Sequence, residues 1–156
     1  MKNKMLCLLA VLLAVFTAGC AGSASGTGAG ELTPEAIAEK LCDGVDVPPH
    51  EAVPLDASNF PYFAFIPYDD SLSAAAADAL VNITPHSVVV IRAADGNGAE
   101  LAKQIAAHAD PNKWLCVGAE TVRVAYTDHY VVLVMSEKAT AEAITANFAA
   151  MAEELD

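Results

Sequence analysis

Hydrophobic residues along this chain follow three patterns. Unbroken apolar runs occupy Met5–Phe16, Val88–Ile91 and Tyr130–Met135. Strict alternation of apolar and polar side chains covers Thr121–Tyr126, as in a half-buried strand. Spacings of three and four residues join Ile37 to Leu41, Leu101 to Ile105, and Ile144 through Phe148 and Met151 to Leu155, which mark helices.

The turn chemistry sets the boundaries. Thr33-Pro34-Glu35 supplies an N-cap, a proline at the first helical position and an acid in the first turn, and Gly44 ends that helix. The prolines of the segment 47–54 predict an irregular surface connection. The aromatic stretch 60–68, bounded by Pro61 and Pro67, predicts a strand over 62–66. Asp70-Ser71 followed by an alanine-rich stretch predicts a helix over 72–81, since alanine has the highest helix propensity. Ser87–Ile91 is a buried strand, and the turn Asp95-Gly96-Asn97-Gly98 leads into a helix over 99–108. Thr127-Asp128-His129 joins two strands as a hairpin, and a last helix begins near Ser136. The expected order is α-β-α-β-α-β-β-α. That pattern implies one α/β (α+β) domain of two layers, a mixed sheet of about four strands with helices packed against it.

The first apolar run has a different meaning. Met1-Lys2-Asn3-Lys4 is basic, Met5–Phe16 is too short to span a bilayer, and Thr17-Ala18-Gly19 supplies small residues before Cys20. The layout is that of a secretory signal, and a cysteine directly after Ala-Gly resembles the lipobox of bacterial lipoproteins. The resemblance implies a signal peptide at 1–19 and lipid attachment at Cys20, with several acyl chains holding the membrane where one is marginal. Residues 20–30 follow as a flexible Ala/Gly/Ser tether, and the folded domain covers 31–156.

Charge narrows the partners. Removing residues 1–19 takes away Lys2 and Lys4 and no acid, leaving six basic residues against 20 acidic ones and a formal charge of −14. Such a surface repels nucleic-acid phosphates, so nucleic acid is not an expected partner. With Cys7 in the signal and Cys20 at the anchor, Cys42 and Cys116 are left as an even pair in an oxidising location. They either form a disulfide, contributing about 4 kcal/mol, or sit as two free thiols. Their spacing does not choose.

No motif for catalysis stands out. His50, His86, His108 and His129 have no metal-ligand spacing and read as exposed loop histidines. Asp95-Gly96-Asn97 lacks the remaining spacing of a calcium loop and reads as helix capping. Asp69-Asp70 reads as loop solvation, Asn82-Ile83-Thr84 as a coincidental sequon, and no nucleophile elbow occurs. No cofactor or metal is expected. Along the aromatic strand Tyr62 and Ile66 would share one face, Phe63 and Phe65 the other. Tyr62, Phe63 and Phe65 therefore serve either as core or as a ligand or partner face.

Ser87-Val88-Val89-Val90-Ile91-Arg92-Ala93, the helix after Asp95, and Thr121–Ser136 resemble the uncharacterised lipoprotein family "domain of unknown function 4358". The resemblance implies a lipoprotein signal and a small α/β domain with a late hairpin, and no known activity. The expected function is a non-catalytic, lipid-anchored domain on the extracytoplasmic face of the cell membrane, binding an envelope protein partner or assisting an envelope system. A small-solute or cation-binding lipoprotein is the alternative. An enzyme would need a cleft holding a histidine–carboxylate pair.

Overall fold

The computed structural model describes residues 32–155 apart from Asn82 and Ala94. The segments expected to be a signal peptide and a tether, with Cys20 and the asparagine of the Asn-Ile-Thr triplet, lie outside the described residues.

The elements run α1 (Pro34–Cys42), β1 (His50–Leu55), α2 (Phe60–Ala64), β2 (Leu72–Ala79), β3 (Ser87–Ala93), α3 (Gly98–His108), β4 (Thr121–Tyr126), β5 (Tyr130–Ser136) and α4 (Lys138–Leu155). The strands form one sheet in the order β1-β2-β3-β5-β4. Every neighbouring pair is antiparallel. The sheet is therefore five-stranded and antiparallel, rather than a mixed sheet of about four. β5 lies between β3 and β4, which the α3 crossover joins.

Helices cover both faces, so the domain has three layers where two were expected. On one face Val89, Ile91, Leu133 and Met135 pack against Phe60, Leu101, Ile105 and Trp114. On the other Val88, Val90, Val132 and Val134 pack against Ile37, Leu41, Ile144 and Phe148. Successive strand residues point to opposite faces. A strand buried on both faces must therefore be apolar at every position, and Val88–Ile91 and Tyr130–Met135 are.

α1 forms as its sequence dictates: the Thr33 hydroxyl accepts the Ala36 N–H at 3.3 Å, and Gly44 takes φ +73° beyond the end. Three segments depart from expectation. Residues 50–55 pair with Leu55↔Ala74 through His50↔Ala79, so most of the proposed irregular connection is the edge strand β1, where Pro54 is tolerated. Phe60–Ala64 is a helical turn, not part of a strand. The Asp56 carboxylate accepts the Ser58 N–H at 2.8 Å, Pro61 sits in the first turn, and Phe65 ends the turn at φ +61°. Phe60 and Ala64, four apart, are the buried pair.

Leu72–Ala79 is a strand despite its alanines. Its entry is shaped by Asp69, whose carboxylate accepts the Ser71 N–H at 2.8 Å, not by a helix cap at Asp70. Pairing with β1 and β3 satisfies both sides of β2. Ala74 and Ala76 face Phe60 and Leu55, while Ala77 faces Ile37 and Leu41. Small side chains leave room for α1 close against one face, and strand pairing on both sides overrides helix propensity.

Candidate functional site

The chemistry of this domain gathers at one end of the sheet, where β1 starts, β2 ends, β3 starts and β5 ends. The register places His50 beside Ala79, Asp78 beside Ser87, and Ser87 beside Met135.

On the face of α2 and α3, the connection after α3 delivers Lys113. Its side chain is only 2% exposed. The ammonium donates to both Asp78 oxygens at 3.2 and 3.0 Å and to the Ser87 hydroxyl at 2.8 Å. It also stands 5.3 Å from the ring centre of Tyr62, 4.6 Å from Phe63 and 4.9 Å from Trp114. Aromatic faces attract a cation through their quadrupole. Burial pushes the lysine pKa down, and the Asp78 carboxylate opposes the change. Lys113 thus joins three segments: the aromatic turn, the β2–β3 strand ends and its own loop.

On the face of α1 and α4 lies a second group. His50 contacts the Pro48 carbonyl through Nδ1 at 2.9 Å and Glu39 through Nε2 at 3.4 Å. Its ring centre is 5.7 Å from that of His86. His86 is fully buried, its Nδ1 3.4 Å from the Ser136 hydroxyl and its Nε2 without a hydrogen-bond partner. Burial first, then the charges of His50 and Lys113, pushes its pKa down to about 4.

Glu39, His50, His86 and Ser136 have the residue types of a nucleophile relay, but not its geometry. A general base works best with a pKa near the operating pH, far above that of His86. The Ser136–His86 contact of 3.4 Å is long for a hydrogen bond to a hydroxyl. Both nitrogens of His50 already face acceptors.

The remaining surface of this end is apolar. Leu80, Val81 and Ile83 in the β2–β3 loop, Tyr62 on α2 and Leu115 beyond Trp114 are all more than half exposed. They belong to the three segments that Lys113 joins, which span residues 57–68, 79–87 and 111–119. In a chain with 20 acidic residues these segments contain none, and their one formal charge, Lys113, is buried. Elsewhere, an open groove of about 300 Å³ runs between Tyr68, Asp69, Asn97, Glu100 and Gln104. Among the described residues no group of three or more His, Cys, Asp or Glu is placed to hold a metal ion, and no helix is long and apolar enough to cross a membrane.

The sequence-chosen residues scatter. Tyr62 is exposed at the apolar end, while Phe63 and Phe65 are half-buried against the core. The helical turn, not strand alternation, divides them. Cys42 is buried on α1 and Cys116 exposed after Trp114, both as free thiols, so no bridge joins them. His50 and His86 are enclosed rather than exposed. Lys113 carried no sequence signal beyond its neighbour Trp114. Asn97 precedes α3 without capping it through its side chain. Instead the Gly98 N–H donates to the Asp128 carbonyl at 2.9 Å. A Cβ on Gly98 would stand 2.2 Å from the Thr127 carbonyl oxygen, so this close approach requires glycine.

These features define a small α+β domain with exposed apolar side chains at the end where the buried Lys113 pairs with Asp78. Compared with protein-family models, curated proteins and solved structures, the chain matches none. The resemblance drawn from Ser87–Ala93, the helix after Asp95 and Thr121–Ser136 therefore rests on those residues alone.

Proposed function

We propose that this protein is a lipid-anchored, extracytoplasmic binding domain that docks a protein partner through its Lys113 end and performs no chemistry itself. The observation that carries the reading is the gathering of exposed Leu80, Val81, Ile83, Leu115 and Tyr62 on segments without a carboxylate, on an otherwise acidic chain. Exposed apolar side chains so grouped mark interaction sites. The exposed apolar side chains favour a partner surface that is itself apolar, since burying an unpaired charge opposite them is costly. Lys113 makes the end rigid, which lowers the ordering cost of docking.

Lipid on Cys20 places the domain at the membrane and raises its effective concentration toward a membrane-bound partner. The groove at Asp69 and Glu100 is where a small solute or cation would sit under the alternative reading. Cys116, exposed beside Leu115, is a natural position for a photo-crosslinker. Irradiation in native membranes should give one stoichiometric protein adduct, lost in Leu80→Asp and Leu115→Asp variants that still fold. Adducts to lipid alone, or to a second copy alone, would overturn the protein-partner reading.

A further inference from the structure

The apolar loop is hinged on a buried histidine. His86 closes the β2–β3 connection: its carbonyl accepts the Ala79 N–H at 3.1 Å, and the Leu80 N–H donates to the Pro49 carbonyl at 2.9 Å. Leu80, Val81 and Ile83 lie between these closures and His86. We propose that His50 and His86 form an acid-sensitive latch on this loop, so that acidification at the membrane surface releases the apolar docking segment. The proposal rests on the docking reading above and adds its regulation.

Geometry comes first. The His86 ring is enclosed by groups from every neighbouring element. β1 brings His50, itself tied to Glu39 of α1. Lys113, paired to Asp78 of β2, lies on the opposite face of the sheet and acts on His86 only through its charge. β5 brings the Ser136 hydroxyl to Nδ1. Thus the His50 ring and the Lys113 ammonium are the basic groups that act on His86, and the two carboxylates, Glu39 and Asp78, are each engaged by one of them. No acceptor faces Nε2. A proton taken up from solvent makes the ring a cation with both nitrogens as donors, one of them without an acceptor. In a buried site such a group is strongly disfavoured.

Relief is close by. An open pocket of about 230 Å³ is lined by Pro48, which His50 contacts, and Ser136, which His86 contacts, together with Asp46, Thr84 and Glu137. Moving His86 outward breaks the Ala79–His86 backbone bond and the Ser136 contact but leaves in place the ladder that begins at Ser87. The rest of β3 is held by β2 and β5 and covered on both faces. Local opening of the loop is therefore the lower route than unfolding the sheet. The depressed pKa of His86 agrees in direction: protonation favours the open loop.

Backbone amide exchange on the full-length protein tests the latch, at pH 7.5 and pH 4.5, corrected for the intrinsic rate. The Ala79 and Leu80 amides, held by the two closures, should lose at least tenfold protection at the lower pH while 88–91 and 131–135 keep theirs. His86→Leu should abolish the difference. Should that variant fold poorly, His50→Gln serves instead. With the ring 5.7 Å away removed, the midpoint of opening should move; an unchanged midpoint counts against the pair. Equal protection at both pH values, loss of loop and strands together, or an unaltered opening in His86→Leu would overturn the proposal. The readout needs no partner, so a failed search for one and a failed latch are separate results.

Discussion

Removing the Lys113 ammonium is the sharpest test of how this end is held together. Lys113→Met keeps most of the volume under Tyr62, Phe63 and Trp114 but leaves the Asp78 carboxylate without its cation. Breaking a buried pair from one side costs about 3–5 kcal/mol. Asp78 is 23% exposed, so water recovers part of that. A cost of about 3 kcal/mol remains for the single variant. Asp78→Ala strands the more deeply buried lysine, with only the Ser87 hydroxyl and the rings as partners, and should cost about the same or slightly more. The double variant removes both charges at once and should cost no more than either single change. The coupling is therefore about 3 kcal/mol. Urea unfolding at pH 7.5, compared at constant slope, measures all four corners of the cycle. Additive effects within about 0.5 kcal/mol would mean that the pair contributes nothing, and the account of Lys113 as the tie between three segments would fall with it.

Other expectations follow from single contacts. Gly98→Ala forces a methyl group against the Thr127 and Asp128 carbonyls and should destabilise by about 3 kcal/mol, readable as a lowered urea midpoint; a change under about 0.5 kcal/mol would contradict the close approach. His86 is held below its ordinary pKa of 6.5, at about 4, so the unfolded chain binds more protons between these values. Its contribution is complete above pH 6.5 and is lost as pH falls toward 4. Between about pH 7.5 and 5 that loss reaches about 2 kcal/mol, and His86→Leu should show a correspondingly smaller acid loss; matching pH profiles would refute it. Cys116 should alkylate quickly in the native protein. Cys42, buried and with its pKa raised to about 11 by burial and then by Glu39 and Asp43, should react only on unfolding. Equal rates would show that the packing of α1 against the sheet does not bury it.

Local chemistry carried by neighbouring residues is legible in the sequence itself. Thr33, Pro34 and Gly44 bound α1; the alternation of Thr121–Tyr126 and the apolar run of Tyr130–Met135 form the hairpin. The apolar stripe of Ile144, Phe148, Met151 and Leu155 is the buried face of α4. In each case the residues and the contacts that decide their state lie close in sequence, or the pattern spans enough residues to specify a face. The acidic balance and the absence of carboxylates from 57–68, 79–87 and 111–119 are equally present in the sequence. That these three segments meet is not.

Only tertiary structure decided the rest. The alanines of β2 prefer a helix in isolation, and become a strand because β1 and β3 satisfy their backbone while α1, close against one face, needs small neighbours. Phe60–Ala64 turns helical because Phe60 and Ala64 are buried together beside Leu55 and Ala76. Lys113 meets Asp78, 35 residues away in sequence, and His86 meets Ser136 across 50. A lone lysine or histidine carries no periodicity to announce its partner. Sequence patterns record which way a side chain must face, whereas the encounter of two distant polar groups depends on the order and register of strands, which here is β1-β2-β3-β5-β4.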